Sequence, residues 1–180
     1  MSNIDKTDPA LIALDWGTTS LRAYVLNSTG NVLEKKSAPL GILKVPDQNF
    51  DAAFEEICGS WLNNGLAGWP RARASPVLAC GMIGSRQGWL EAPYVRCPAS
   101  IDHLAQKFVS LTTKKGRRVA IVPGVSTENS AGAPDVIRGE ETQIIGALTP
   151  ARMQSPFVLP GTHSKWVRSK KIESLNLRPS

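Results

Sequence analysis

At 180 residues, with 42% apolar and 20% charged residues, the chain has globular composition and the length of one domain or one lobe of a larger protein, so disorder is excluded as a default. No apolar run approaches the ~18 residues of a membrane span, and the polar start Met-Ser-Asn-Ile-Asp-Lys-Thr-Asp has no apolar signal core; the expectation is a soluble, cytoplasmic protein with no membrane partner. The net charge of +6 raises nucleic acid as a partner, but 9 basic and 10 acidic residues nearly balance over 1–104, and the excess lies in Lys114-Lys115-Gly116-Arg117-Arg118 and a basic tail, neither interleaved with aromatics. Nucleic acid is therefore not expected.

In chain order, three strand-like runs come first: Leu11-Ile12-Ala13-Leu14, Leu21-Arg22-Ala23-Tyr24-Val25-Leu26 and Val32-Leu33-Glu34-Lys35-Lys36. Tight-turn sequences separate them, which predicts an antiparallel meander. Phe50, Phe54, Ile57, Trp61 and Leu62 recur at helical spacing and predict a helix ending near Asn63-Asn64-Gly65. Pro76-Val77-Leu78-Ala79-Cys80 reads as a buried strand, followed by a glycine-punctuated loop or short helix over 81–89. A second helix is predicted over 101–111 and a strand at Val119-Ala120-Ile121-Val122. Loop chemistry fills 125–133, and a third helix is predicted over 136–148 with Asp135 as its N-cap. Phe157-Val158-Leu159 and Lys165-Trp166-Val167 then repeat the strand, Gly-Thr turn, strand pattern of the N-terminus. The order describes an α/β lobe followed by the opening of another.

Cys58, Cys80 and Cys97 have neither disulfide-framework nor C-x-x-C spacing and read as thiols of a reducing compartment. Chemistry concentrates in two short turns, Asp15-Trp16-Gly17-Thr18-Thr19-Ser20 and Gly161-Thr162-His163-Ser164-Lys165. Glycine lets a backbone approach a ligand, and neighbouring N–H groups with hydroxyls hold phosphate oxygens. A carboxylate such as Asp15 at a strand end can hold Mg²⁺ through water. A single Gly-Thr turn reads first as an ordinary hairpin, but two at matching positions in successive meanders weigh against that and toward phosphate. No Walker A loop is present.

The string D-W-G-T-T-S-L-R-A-Y resembles the first phosphate hairpin of the sugar kinase/actin/Hsp70 ATPase superfamily. The stretches G-M-I-G-S-R-Q-G-W-L-E-A-P-Y-V at 81–95, I-V-P-G-V at 121–125, D-V-I-R-G-E-E-T-Q-I-I-G-A-L at 135–148 and L-P-G-T-H-S-K-W-V at 159–167 together resemble the 2-dehydro-3-deoxygalactonokinases, the sugar-acid kinases of D-galactonate breakdown. The resemblance runs from about residue 10 to about residue 174. It implies an actin-like ATPase (ribonuclease H-like) α/β lobe with a mixed sheet opening in a three-stranded meander, over 1–150, and the start of a truncated second lobe over 151–180. The strands of that start would then have no sheet of their own, and the last six residues depart from the family's pattern.

The resemblance further implies ATP- and Mg²⁺-dependent phosphorylation of a small sugar acid, 2-dehydro-3-deoxy-D-galactonate, at its terminal hydroxyl. Asp15 would organise Mg²⁺, while Gly17, Thr18, Thr19 and Arg22 would face the transferred phosphate. Gly161, Thr162, His163 and Ser164 would form the second phosphate hairpin, with Lys165 adding charge. Asp135, Glu140 and Glu141 are candidates for the carboxylate that aligns the substrate hydroxyl and takes its proton; Asp135 is alternatively a helix cap and the glutamates solvated helix residues. Ser85, Arg86 and Gln87 suit a sugar acid, Arg86 through its bidentate fork. Trp89 is either the pocket floor or a core aromatic, and Arg138 either a substrate ligand or a surface residue. The alternative to an enzyme is a non-catalytic, sugar-acid-binding half-protein of the same family.

Overall fold

Alternating burial builds the first sheet. On β1 (Pro9–Trp16) the side chains of Ile12, Leu14 and Trp16 are buried, as are Leu21, Ala23 and Val25 on β2 (Leu21–Asn27). A strand's period of two therefore turns one face of this hairpin to the core. The computed structural model describes residues 8–64, 75–128, 134–147, 156–159, 165–171 and 174–178. Within them β1 pairs antiparallel with β2, and β2 with β3 (Val32–Ala38), giving the expected meander. Two short apolar strands extend the other side: β4 (Val77–Cys80) is parallel to β1, and β7 (Arg118–Ile121) is parallel to β4. β6 (Val109–Thr112) closes the edge antiparallel to β7, for a six-stranded mixed order of β3-β2-β1-β4-β7-β6.

Helix α1 (Phe50–Asn64) contributes Phe50, Ala53, Phe54, Ile57 and Trp61 to the same core, as its periodicity predicts. Each fully buried aromatic of this kind contributes roughly 1.5–3 kcal/mol. A smaller sheet follows, in which β5 (Tyr94–Arg96) is parallel to β8 (Gly124–Glu128) and β9 (Pro134–Ile137) is antiparallel to β8. Val125 and Ile137 of this sheet join Ala99, Leu104 from the short α2 (Ile101–Ala105) and Ile144 from α3 (Glu140–Ala147) in a second apolar cluster. A third sheet has the order β10-β11-β12, with β10 (Pro156–Leu159), β11 (Lys165–Lys171) and β12 (Ser174–Arg178) antiparallel throughout.

Five expectations are corrected. The second helix stops at Ala105, and the β-branched run that follows is the edge strand β6. The segment read as loop chemistry contains β8. The third helix begins only at Glu140, because Gly139 has φ of +103° and interrupts the periodic run. Asp135 is consequently not a helix cap; it sits in β9 opposite Thr127. Lastly, β10 and β11 do belong to a sheet, since β12 pairs with β11. No helix among the described residues is long and apolar enough to cross a membrane.

Candidate functional site

The parallel pairing of β1 and β4 sets Asp15 beside Cys80 at the C-terminal edge of the large sheet. Just beyond β1, the Gly17 N–H donates to the Ser20 carbonyl at 2.9 Å, closing a four-residue turn on which the Thr18 and Thr19 side chains are exposed. The following strap fixes this turn from outside: the N–H groups of Ile42 and Leu43 donate to the carbonyls of Gly17 and Thr18. Arg22, the register partner of Asp15, donates to its Oδ2 at 3.0 Å. The turn thus offers one carboxylate, two exposed hydroxyls and a guanidinium within a few residues.

The sharp turn between β9 and α3 delivers two carboxylates to the same edge. Gly81, after β4, and Gly139, before α3, both have positive φ, and their backbones approach so closely that a Cβ on Gly139 would lie 3.0 Å from the Gly81 Cα. The Arg138 N–H donates to Glu140 Oε2 at 2.8 Å and the Gly139 N–H to Glu141 Oε2 at 2.7 Å. Glu141 is fully buried, and Thr142 Oγ1 donates to its Oε1 at 3.2 Å. Burial pushes the Glu141 carboxyl up to about 7 against the pull of these hydrogen bonds, with Glu140 adding a further upward push. Burial likewise raises the Cys80 thiol to about 12, helped by the negative charges of Asp15 and Glu141. Cys80 therefore marks where the β1 carboxylate and the α3 carboxylate converge, and is itself an inert thiol.

Beside this edge lies an open cleft of about 570 Å³. Met82, Ser85, Arg86 and Gln87 form one wall, and Glu91, Tyr94 and Arg138 complete it. The wall is held by its own backbone: Ser85 N–H donates to the Met82 carbonyl, Gly88 to Ser85, Trp89 to Ile83 and Ala92 to Gly84. Below it Trp89 packs edge-on to Trp16 and against Phe50 and Phe54, with ring centroids 5.8–6.5 Å apart. Two polar atoms of residues that line this cleft are buried without a hydrogen-bond partner, Ser85 Oγ and Arg138 Nη1. Unpartnered buried groups of this kind are costly and mark places where a polar ligand fits.

Four of the sequence-predicted substrate residues, Ser85, Arg86, Gln87 and Arg138, line one cleft; the fifth, Trp89, is a core aromatic supporting it. Asp15, Gly17, Thr18, Thr19 and Arg22 lie together on the first hairpin, and Glu140 and Glu141 at the adjoining turn. Asp135 lies outside that turn, in β9. Gly161, Thr162, His163 and Ser164 fall outside the described residues, and Lys165 is described only as the first residue of β11. Tyr94 was not singled out by sequence reasoning, although its place in a short aromatic and β-branched run beside Pro93 signals the strand that carries it. His103 forms a reciprocal cap with Ser100 at the start of α2.

No cluster of three or more metal-ligating side chains exists among the described residues. The donor chemistry of the first hairpin, a single carboxylate with nearby hydroxyls, fits a magnesium–phosphate group, because Mg²⁺ is commonly held by one or two carboxylates, water and phosphate oxygens.

Residues 15–176 match the family described as 2-keto-3-deoxy-galactonokinase. The chain is 36% identical over 157 residues to a Rhizobium meliloti (strain 1021) protein named "Probable 2-dehydro-3-deoxygalactonokinase DgoK1", covering 87% of this chain and 48% of the relative. It is 34% identical over 160 residues to the 2-dehydro-3-deoxygalactonokinase of Escherichia coli (strain K12), covering 88% and 49%. The chain thus spans about half the length of the curated relatives it matches. A crystal structure described as that of "a putative 2-dehydro-3-deoxygalactonokinase protein from Sinorhizobium meliloti" superposes with a TM-score of 0.71 at 31% identity, covering 93% of this chain and 52% of that one.

Proposed function

The chain belongs to the 2-keto-3-deoxy-galactonokinase family, and from that premise we propose that it supplies the sugar-acid cleft and the first phosphate hairpin for ATP-dependent phosphorylation of 2-dehydro-3-deoxy-D-galactonate at its terminal hydroxyl. The observation that carries the reading is the convergence at one sheet edge of Asp15, the buried Glu141 and a cleft with two unpartnered donors. The strand order β3-β2-β1-β4-β7, antiparallel then parallel, supports an actin-like ATPase lobe over 1–150, with 151–180 opening a second lobe.

Bound Mg-ATP would supply the phosphoryl group and the neutralising charge. Asp15 would hold the ion through water, and Thr18 and Thr19 would hydrogen-bond phosphate oxygens, with Arg22 supplying positive charge beside Asp15. The predicted second hairpin, 161–165, would face the remaining phosphates. Of the three candidate carboxylates, Glu141 suits the task of receiving the hydroxyl proton. Its affinity for a proton, near neutrality, matches what a general base needs. Glu140, by contrast, is half-buried, and Asp135 lies back in β9. Ser85, Arg86, Gln87 and Arg138 would orient the sugar acid, and two arginines in the lining suit a small anionic substrate.

Incubation with ATP, Mg²⁺ and the sugar acid should yield the phosphorylated acid, and Asp15→Ala should reduce the rate at least ~100-fold. Absence of product under conditions where a full-length relative turns over would defeat the claim of catalysis by these 180 residues. A second reading, sugar-acid binding without turnover, is favoured by the fact that the described cleft is built entirely from residues 82–94 and Arg138. Calorimetry with each ligand alone separates the two: ATP binding supports the kinase, and acid binding without it supports the binding module.

A further inference from the structure

Arg138 is only 8% exposed, yet no carboxylate among the described residues pairs with it. Its Nη2 donates to the Ala92 carbonyl at 2.8 Å and its Nε to Tyr94 Oη at 3.3 Å. The guanidinium lies over the Tyr94 ring, 4.2 Å from the centroid. Both N–H groups of Nη1 are left without an acceptor, in the wall of the same cleft that holds the unpartnered Ser85 Oγ. Stacking on an aromatic face offsets part of the cost of burying a cation, but not the cost of open donors. Each existing contact also fixes the plane of the guanidinium, so the free edge is held before any ligand arrives. Gly84 leaves room for that edge, since a Cβ there would lie 2.9 Å from Nη1.

We infer that Arg138, stacked on Tyr94, anchors the carboxylate of the sugar acid through Nη1, with Ser85 Oγ as the second donor, and that Tyr94 is the positioning residue that makes the cleft select acids over neutral sugars. The inference rests on the proposed function and deepens it. Arg138 and Glu141 stand three residues apart on one turn, so a substrate tethered by its carboxylate at Arg138 has its far end to present to the carboxylates of the sheet edge. Arg86, exposed on the rim, is left for the remaining polar groups of the sugar chain.

The test is calorimetric titration of the full chain with 2-dehydro-3-deoxy-D-galactonate and with the 3-deoxyketose that carries CH₂OH in place of the carboxylate. The wild-type chain should prefer the acid by at least ~100-fold, because a site with open buried donors rejects a ligand that cannot fill them. Arg138→Lys should lower that preference to about tenfold or less, since a point charge does not reproduce a stacked, planar fork. Tyr94→Phe keeps the ring and should weaken acid binding several-fold while leaving the ketose unchanged, a shift in ratio that general loosening of the fold would not produce. Equal binding of acid and ketose by the wild-type chain, or an undiminished acid preference in both variants, overturns the inference while leaving the proposed function standing. Failure of the wild-type chain to bind the acid at all overturns the proposed function, and this assignment with it.

Discussion

Glu141 combines full burial with hydrogen bonds from the Gly139 N–H and Thr142 Oγ1, and burial is the larger influence, raising its pKa from 4.5 to about 7. The folded protein therefore keeps a proton that the unfolded chain releases over that interval. Unfolding free energy must fall as pH rises from 4.5 to about 7, by about 1.4 kcal/mol per unit and roughly 3 kcal/mol in all. Below this window both states are protonated, and above it both are ionised, so the penalty is constant at each end. Glu141→Gln has no charge to bury. Its stability should match the wild type near pH 4.5 and exceed it by about 3 kcal/mol at pH 8, as read by urea denaturation at the two pH values. Parallel pH profiles for the two proteins would mean that Glu141 is already ionised when folded. The same substitution should abolish phosphorylation if Glu141 receives the hydroxyl proton, a trade of activity for stability expected of a buried catalytic carboxylate.

Among the elements, α1 is locked by the basic turn between β6 and β7. Arg117 Nη2 donates to the Leu62 carbonyl in the last turn of the helix at 2.6 Å, the Lys114 N–H donates to Asp51 Oδ2, and Lys115 pairs with Glu55 at 2.7 Å. These bonds differ in worth. A guanidinium at a helix C-terminus answers both an open carbonyl and the helix dipole, whereas Lys115 is 54% exposed and screened by water. Arg117→Ala should cost about 1–3 kcal/mol and Lys115→Ala no more than about 1, measured as a shift in denaturation midpoint at constant slope. Legibility also divided by element. The meander and α1 were readable because strict alternation and five apolar residues at helical spacing are local signals. β8 and β9 were not, because Val125-Ser126-Thr127-Glu128 has the composition of a loop and becomes a strand only by pairing with β9 just after it and with β5, distant in the chain. Asp135 reads as a helix cap because the apolar recurrence over 136–148 runs on across Gly139, whose positive φ breaks it, and β6 reads as helix because it follows the short α2 closely.

Over the whole molecule, the candidate site depends on how closely two loops approach the end of β1. Its motifs were readable as strings, but the joining of Arg138, Tyr94 and Ser85 in one cleft is tertiary and left no trace in residue spacing. Gly81 is the pivot. A Cβ on Gly81 would lie 2.8 Å from the Trp16 carbonyl oxygen, and one on Gly139 would lie 3.0 Å from the Gly81 Cα, so the Gly81 backbone is enclosed between Trp16 and Gly139. Both glycines also have a φ near +100°, where an L side chain is strained. Gly81→Ala and Gly139→Ala should each cost about 1–3 kcal/mol. The first is relieved in part by moving residue 81 away from Trp16 and the second by moving it away from residue 139, and the two movements oppose each other. The double variant should therefore be less stable than the sum of the singles by about 0.5 kcal/mol or more, a coupling that a double-mutant cycle reads directly. The Gly139→Ala variant should in addition lose acid binding, because the turn it displaces carries Arg138 on one side and Glu141 on the other. Strict additivity, with acid binding intact, would mean that the loops yield independently and that the site tolerates their separation.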